Sequence, residues 1–207
     1  MKPIALEDML GREHYGAERD AIRRRIIAHK RTRRVTVGDR LSFLFEDRAT
    51  IWYQTQEMLW VEQITDLDAM REELGVYNEL LPGAGEISAT LLIEIEDQRG
   101  LKEELNRLIG IDEHVTLEVG GERQVRGTFE AGRQTAEKIS AVQYVRFPLD
   151  QETQRRITAG VPLALAIDHP NYRVRADLPE PVRASLAADL ADPAATEQAL
   201  RKVRDGG

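Results

Sequence analysis

The segment Tyr53-Gln54-Thr55-Gln56-Glu57-Met58-Leu59-Trp60 offers the densest chemistry in the chain, because it sets one carboxylate and two amides among aromatic side chains. From Asp47 to Ile64 the residues Trp52, Tyr53, Met58, Leu59, Trp60, Val61 and Ile64 leave little room for a polar face, and both tryptophans of the protein fall here. On a helix, Tyr53, Glu57, Trp60 and Ile64 share one side, while Trp52, Gln56, Leu59 and Gln63 share the adjacent one. A helix apolar nearly all round is buried. Glu57 must then take up a proton, pair with a base or bind a metal, and Gln54 and Gln56 must find hydrogen-bond partners. Arg48 is on the same helix, about two and a half turns away, and is poorly placed to be that base. His29, Arg33 and Arg34 could serve instead, since His29 lies on the apolar stripe of the preceding helix and the arginines directly follow it. Two readings stand side by side: a Glu57 and His29 site in a ligand pocket, and a satisfied structural pair that fixes how two helices dock.

Other constellations are weaker. The histidines His14, His29, His114 and His169 show no three- or four-residue spacing that would make a helical metal clamp, so no self-contained metal site is expected. Arg12-Glu13-His14 breaks the Glu-x-x-His pattern of di-iron bundles. His169, between Asp168 and Pro170, reads as a turn residue, and it is also the best loop-borne general base. Gly83-Ala84-Gly85 and Gly120-Gly121 lack the downstream glycine, lysine and helix start of a phosphate loop, and there is no Gly-x-Ser-x-Gly elbow. The absence of cysteine excludes disulfides, thiolate nucleophiles, Cys-ligated zinc and Cys-ligated iron–sulfur clusters, so the residues specify no cofactor.

The 207 residues, 42% hydrophobic and 31% charged, suffice for one sizeable core. No stretch has the roughly 18 to 20 apolar residues of a membrane span. Met1 to Leu10 carries Glu7 and Asp8 and does not read as a secretion signal, so a cytoplasmic location is expected. The net charge of −7 hides a block without acids, comprising Arg23, Arg24, Arg25, Lys30, Arg31, Arg33 and Arg34. Such a block can bind RNA or a phospholigand, yet on an otherwise acidic chain docking on the protein's own surface or simple solvation is favoured, which argues against nucleic acid.

The elements that must position these groups follow from periodicity. A helix from Glu13 to about Lys30 carries Tyr15, Ile22, Ile26 and His29 on its stripe. Val35, Val37, Leu41, Phe43 and Phe45 alternate with polar residues, either as a hairpin turning through Gly38 to Arg40 or as one long strand. Asp47 caps a helix from Arg48 to about Thr65, and a shorter helix from Leu67 to Leu74 stops at Gly75. After a loop from Asn78 to Gly85 come a strand at Ile87 to Ile95, continuing the alternation into Glu96, and a helix at Leu101 to Leu108. A hairpin about Gly120-Gly121 follows, then a strand at Ile139 to Phe147 and a helix at Gln151 to Thr158. Strands at Pro162 to Ile167 and Tyr172 to Ala176 are joined by a turn, Asp168 to Asn171, ahead of a helix from Pro179 to Leu190. The expected fold is α+β, a mostly antiparallel sheet covered by helices, in a single domain over residues 1–190, with 191–207 a polar, frayed tail.

Several motifs resemble those of an uncharacterised bacterial family, a domain of unknown function: Ala28-His29-Lys30, Phe45-Glu46-Asp47-Arg48, Tyr53 to Met58, Thr90-Leu91-Leu92-Ile93-Glu94 and Asp168-His169-Pro170, with the opening Lys2-Pro3-Ile4. The resemblance runs from Met1 to about Leu190. It implies a redox neighbourhood, because such genes sit beside those for rubrerythrin-like peroxide-reducing proteins and for an iron–sulfur subunit similar to that of anaerobic glycerol-3-phosphate dehydrogenase. Three expectations follow: a non-enzymatic accessory or binding protein of a redox or oxidative-stress system, partnered by a rubrerythrin-like or iron–sulfur protein; a small-molecule enzyme using Glu57 with His29 or His169; and, most weakly, a binder of RNA or phospholigands through Arg23 to Arg34. A homo-oligomer is compatible with each.

Overall fold

Tyr15, Ile22 and Ile26 recur at helical spacing and are fully buried along one stripe of α1 (Arg12–Lys30) in the computed structural model, which describes residues 1–95, 101–130, 132 and 139–206. Strands β1 (Arg34–Val37) and β2 (Leu41–Phe45) pair Val35 with Phe43 and Val37 with Leu41, so the chain turns through Gly38 to Arg40 and the single long strand is not formed. Gly38 sits at φ +71°, which a β-carbon would disfavour.

Asp47 starts α2 (Arg48–Val61) by accepting a hydrogen bond from the Thr50 amide, while the Thr50 hydroxyl accepts one from the Asp47 amide. Helix α3 (Leu67–Asn78) runs straight through Gly75, where the sequence suggests a stop. Gly75 does not take the left-handed conformation that ends a helix, and Leu74 and Tyr77 beside it still find apolar neighbours.

The later elements are β3 (Glu86–Ile93), α4 (Leu101–Asn106), β4 (Val115–Val119), β5 (Arg123–Arg126), β6 (Thr128–Phe129), β7 (Val142–Pro148), α5 (Gln151–Thr158), β8 (Leu163–His169), β9 (Tyr172–Asp177), α6 (Glu180–Ala191) and α7 (Pro193–Asp205). Glu96, at the end of the alternating run, lies outside the described residues. The architecture is α+β, and the strands form two antiparallel sheets instead of one, ordered β1-β2-β3-β7-β6 and β5-β4-β8-β9. Alternation reveals which face of a strand is apolar and says nothing of which strand lies beside it. One apolar cluster joins the sheets, through Phe43, Leu91 and Phe147 of the first and Leu117, Leu165 and Ile167 of the second.

The opposite face of the first sheet is apolar at Leu44 and Leu92 and otherwise largely polar. It carries Ser42, Ser88, Thr90, Tyr144 and Arg146, whose registers place them together. A second apolar cluster gathers Tyr15 and Ile22 of α1, Trp52 of α2, Leu74 of α3, and Leu200 and Val203 of α7.

Two sequence expectations need correction. The segment Asp168 to Asn171 is not a four-residue loop: β8 continues to His169, which pairs with Tyr172, leaving Pro170 and Asn171 at the turn. Nor is the tail frayed. Asp192 caps α7 by accepting the Ala194 amide, Leu200 and Val203 are buried, and Glu197 pairs with the buried Arg48. The apolar positions of α7 stand far apart in a polar stretch, so a small stripe supported by one ion pair escaped the pattern. Among the described residues, no helix is long and apolar enough to cross a membrane.

Because Leu200 is fully enclosed, Leu200→Ala is expected to cost about 2–5 kcal/mol in denaturant unfolding. A cost within error of zero would mean that α7 does not dock.

Candidate functional site

The residues that the sequence singled out divide into separate places. Glu57 is only partly buried, with 22% of its side chain exposed, and it is paired with Arg19 through two bonds of 2.8 and 2.7 Å and with the Tyr15 hydroxyl. The guanidinium bonds hold its carboxyl below the usual range, against a smaller opposing effect of burial. His29 is bonded instead to Asp47, Nε2 to Oδ2 at 2.7 Å, so the expected Glu57 and His29 pair does not form. Helix α2 is buried on the side of Trp52, Gln56 and Leu59, while Tyr53, Gln54, Glu57 and Trp60 are half-buried and Val61 is exposed.

Gln56 clasps the backbone of Leu10 at both amide atoms, and Arg48 ties Asp8 and Glu197 together; both serve the docking of terminal segments. Arg34 bonds Ser42 and Glu94 at the sheet edge. Tyr53 lies under the Lys30 ammonium, 5.4 Å from ring centre to nitrogen. His169 is buried, with Nε2 against the Ile109 carbonyl at 2.9 Å and Nδ1 accepting from the Asn171 amide, so both ring nitrogens are engaged in its turn. Neighbouring Asp168 pairs with Arg173 at the surface.

The centre that the structure does build lies one step upstream, at Glu46-Asp47, where β2 hands over to α2. Asp47 is fully enclosed. Besides capping α2 it forms an ion pair with Arg33 at 2.9 Å, and Arg33 donates to Asp189 of α6 at 2.6 and 2.9 Å. Burial would raise the Asp47 pKa, but Arg33, His29 and the Thr50 amide together hold it well below the ordinary carboxylate value. Asp189 shares the same guanidinium but has fewer donors and feels the charge of Asp47, so for it burial prevails and the pKa rises.

Glu46 is equally buried and shifts the other way. Its carboxyl meets the hydroxyls of Thr50 and Thr90 and the Gln54 amide at 3.2 Å, all of them uncharged. Burial therefore raises its pKa, more than these hydrogen bonds lower it. Two adjacent carboxyls are thus shifted in opposite directions, Asp47 toward the anion and Glu46 toward the neutral acid.

Glu46 also lines two cavities. The larger, about 660 Å³, lies between the polar face of the first sheet and helices α2 and α3, with Met58, Tyr77, Ser88, Phe129 and Tyr144 in its walls. The smaller, about 270 Å³, lies on the side of Asp189, Gln154 and the Pro82 to Gly85 loop. A sheet face of Ser, Thr, Tyr and Arg cannot interdigitate with a helix as an apolar face would, and space remains between them. Among the described residues, the wall of the larger cavity carries Glu46, Glu73, Glu79 and Glu130 against one base, Arg146, and Arg146 is itself bonded to Glu86. No cluster of three metal-binding side chains occurs among the described residues.

The sequence reading missed Glu46, Thr50, Thr90 and Asp189 as a group. Glu46 follows the polar positions of β2 and reads as a solvent-facing side chain; the signal that could have found it is the Asp47 cap, which forces a helix back across that face.

Linkage makes the Glu46 assignment measurable. A carboxyl whose folded pKa lies above its unfolded value contributes stability below about pH 4.5 that is lost as pH rises through the folded value. Relative to the wild type, Glu46→Gln is therefore expected to fare better in unfolding measurements at pH 8 than at pH 5. A difference that does not move with pH would mean that Glu46 titrates as in water.

Comparison with known proteins places this site in a family without an assigned activity. A crystal structure of a novel protein of unknown function from Burkholderia pseudomallei K96243 superposes with a TM-score of 0.87 at 40% sequence identity, over 91% of this chain and 100% of that one. No curated protein matches. The family described as "Protein of unknown function (DUF3501)" matches residues 3–190, which include Glu46, Asp47 and Asp189 and stop short of α7, and the chain belongs to that family.

Proposed function

We propose that the protein binds a small organic cation, an amine or related ammonium on an apolar or aromatic body, in the cavity beside Glu46. The observation that carries this reading is a buried carboxyl whose hydrogen-bond donors are all neutral, in the wall of a cavity whose charged lining among the described residues is mostly acidic. Tyr77, Phe129 and Tyr144 supply aromatic surface for the body of such a ligand and ring faces that attract a cation. An arriving ammonium would ionise Glu46 and replace a neutral contact by a charge-assisted one. This keeps the expectation of a binding protein and gives it a site. It also suits a cytoplasmic protein that meets free metabolites. The enzymatic alternative, acid–base catalysis by Glu57 with His29 or His169, finds no support in the geometry, since each of those groups is engaged by a different partner.

Calorimetry with 2-phenylethylammonium as probe tests the proposal. The amine is expected to bind more tightly at pH 8 than at pH 6, to release a proton detectable as a buffer-dependent heat, and to lose about tenfold or more in affinity in Glu46→Gln. Equal binding by that variant, or a preference for phenylacetate over the amine, would overturn it.

A further inference from the structure

The basic block of α1 is not one surface. Arg33 is buried between two carboxylates, Arg25 bonds the Val203 and Arg204 carbonyls, and Arg34 belongs to the sheet edge. What remains is a flank of α1 on which Arg12, Arg19, Arg23 and Lys30, spaced by 7, 4 and 7 residues, fall within about 40° of one another on the helix. Beside it α2 presents Tyr53, Glu57 and Trp60. Gly16 permits this closeness: a β-carbon there would stand 2.7 Å from the Trp60 ring.

The cations cover the rings. The Arg12 guanidinium lies 4.3 Å from the Trp60 centroid and also bonds the Trp60 carbonyl, Arg19 lies at 6.0 Å, and Lys30 lies over Tyr53. Glu57 neutralises one charge, through Arg19, Lys30 is turned partly inward toward Glu46, and Asp20 stands one turn before Arg23, so the flank keeps a small net positive charge on a chain of net charge −7. Each helix also exposes one large apolar side chain, Ile27 of α1 at 50% and Val61 of α2 at 61%, toward opposite ends of the pair.

We propose that this α1–α2 flank is a docking surface for an acidic polypeptide segment that carries apolar anchors, such as an amphipathic helix rich in glutamate. Charge complementarity selects the sign of the partner, and Ile27 and Val61 supply contacts that a purely polar ligand would leave unused. Single-stranded nucleic acid, the other polyanion, fits less well, because its bases need open ring faces and here Trp60 and Tyr53 are already capped by the protein's own cations.

Fluorescence anisotropy provides the test, with a labelled 20-residue helical peptide of glutamate bearing leucine at every third or fourth position, the same peptide with lysine for glutamate, and a labelled oligothymidine. Arg23 is exposed on the flank, whereas Arg24 is exposed off it, so the two allow a matched comparison. The acidic peptide is expected to bind in a salt-dependent manner, the basic peptide and the oligonucleotide more weakly, and Arg23→Glu to weaken the acidic peptide about tenfold while Arg24→Glu leaves it nearly unchanged. No binding of the acidic peptide, equal losses in both variants, or tighter binding of the oligonucleotide would each overturn the proposal.

Discussion

The carboxylate of Asp47 ties the end of α1 to the start of α2 and, through Arg33, to α6. Its oxygens take the Thr50 amide in the first turn of α2, the imidazole at the end of α1 and the guanidinium of Arg33, and that guanidinium carries the link on to Asp189 in α6. Two charges of opposite sign buried side by side are costly unless their donors and acceptors are satisfied; here the carboxylate has three partners, while the Arg33 Nε is left without one. Removal of Asp47 would leave Arg33 with Asp189 alone, and removal of Arg33 would leave Asp47 with His29 and the Thr50 amide, so the arrangement fixes where β2 ends and where α2 departs.

That departure gives Glu46 its environment. With α2 turned back across the polar side of the first sheet, Glu46 is shut away from water and receives only hydroxyl and amide donors, the guanidinium having been taken by Asp47. Neighbours in sequence thus differ in what faces them, and their proton affinities diverge for that reason. The cavities follow from the same geometry, because a helix held by an ion pair over a polar sheet leaves space that an apolar interface would have filled.

Much of the fold was legible in local pattern. The β1–β2 hairpin registered as the alternation required, Asp47 capped its helix, and α5 spans Gln151–Thr158 as read. Local pattern could not show that the strands divide into two sheets, nor that α7 rests on α1 and α2, since both depend on contacts between distant segments. For the site, the apolar run of α2 suggests burial nearly all round, whereas one side of the helix is half-buried, and Glu57 pairs there with Arg19 of α1. The more consequential acid, Glu46, looked like an ordinary polar strand residue, because what encloses it is the helix that its neighbour starts.

The account rests on the contrast between two consecutive carboxyls, and a titration of their side-chain carbons by NMR tests it most directly. Glu46 is expected to remain protonated above the usual glutamate range, while Asp47 stays ionised well below the usual aspartate range. Titration of both near 4, as for groups in open water, would contradict it.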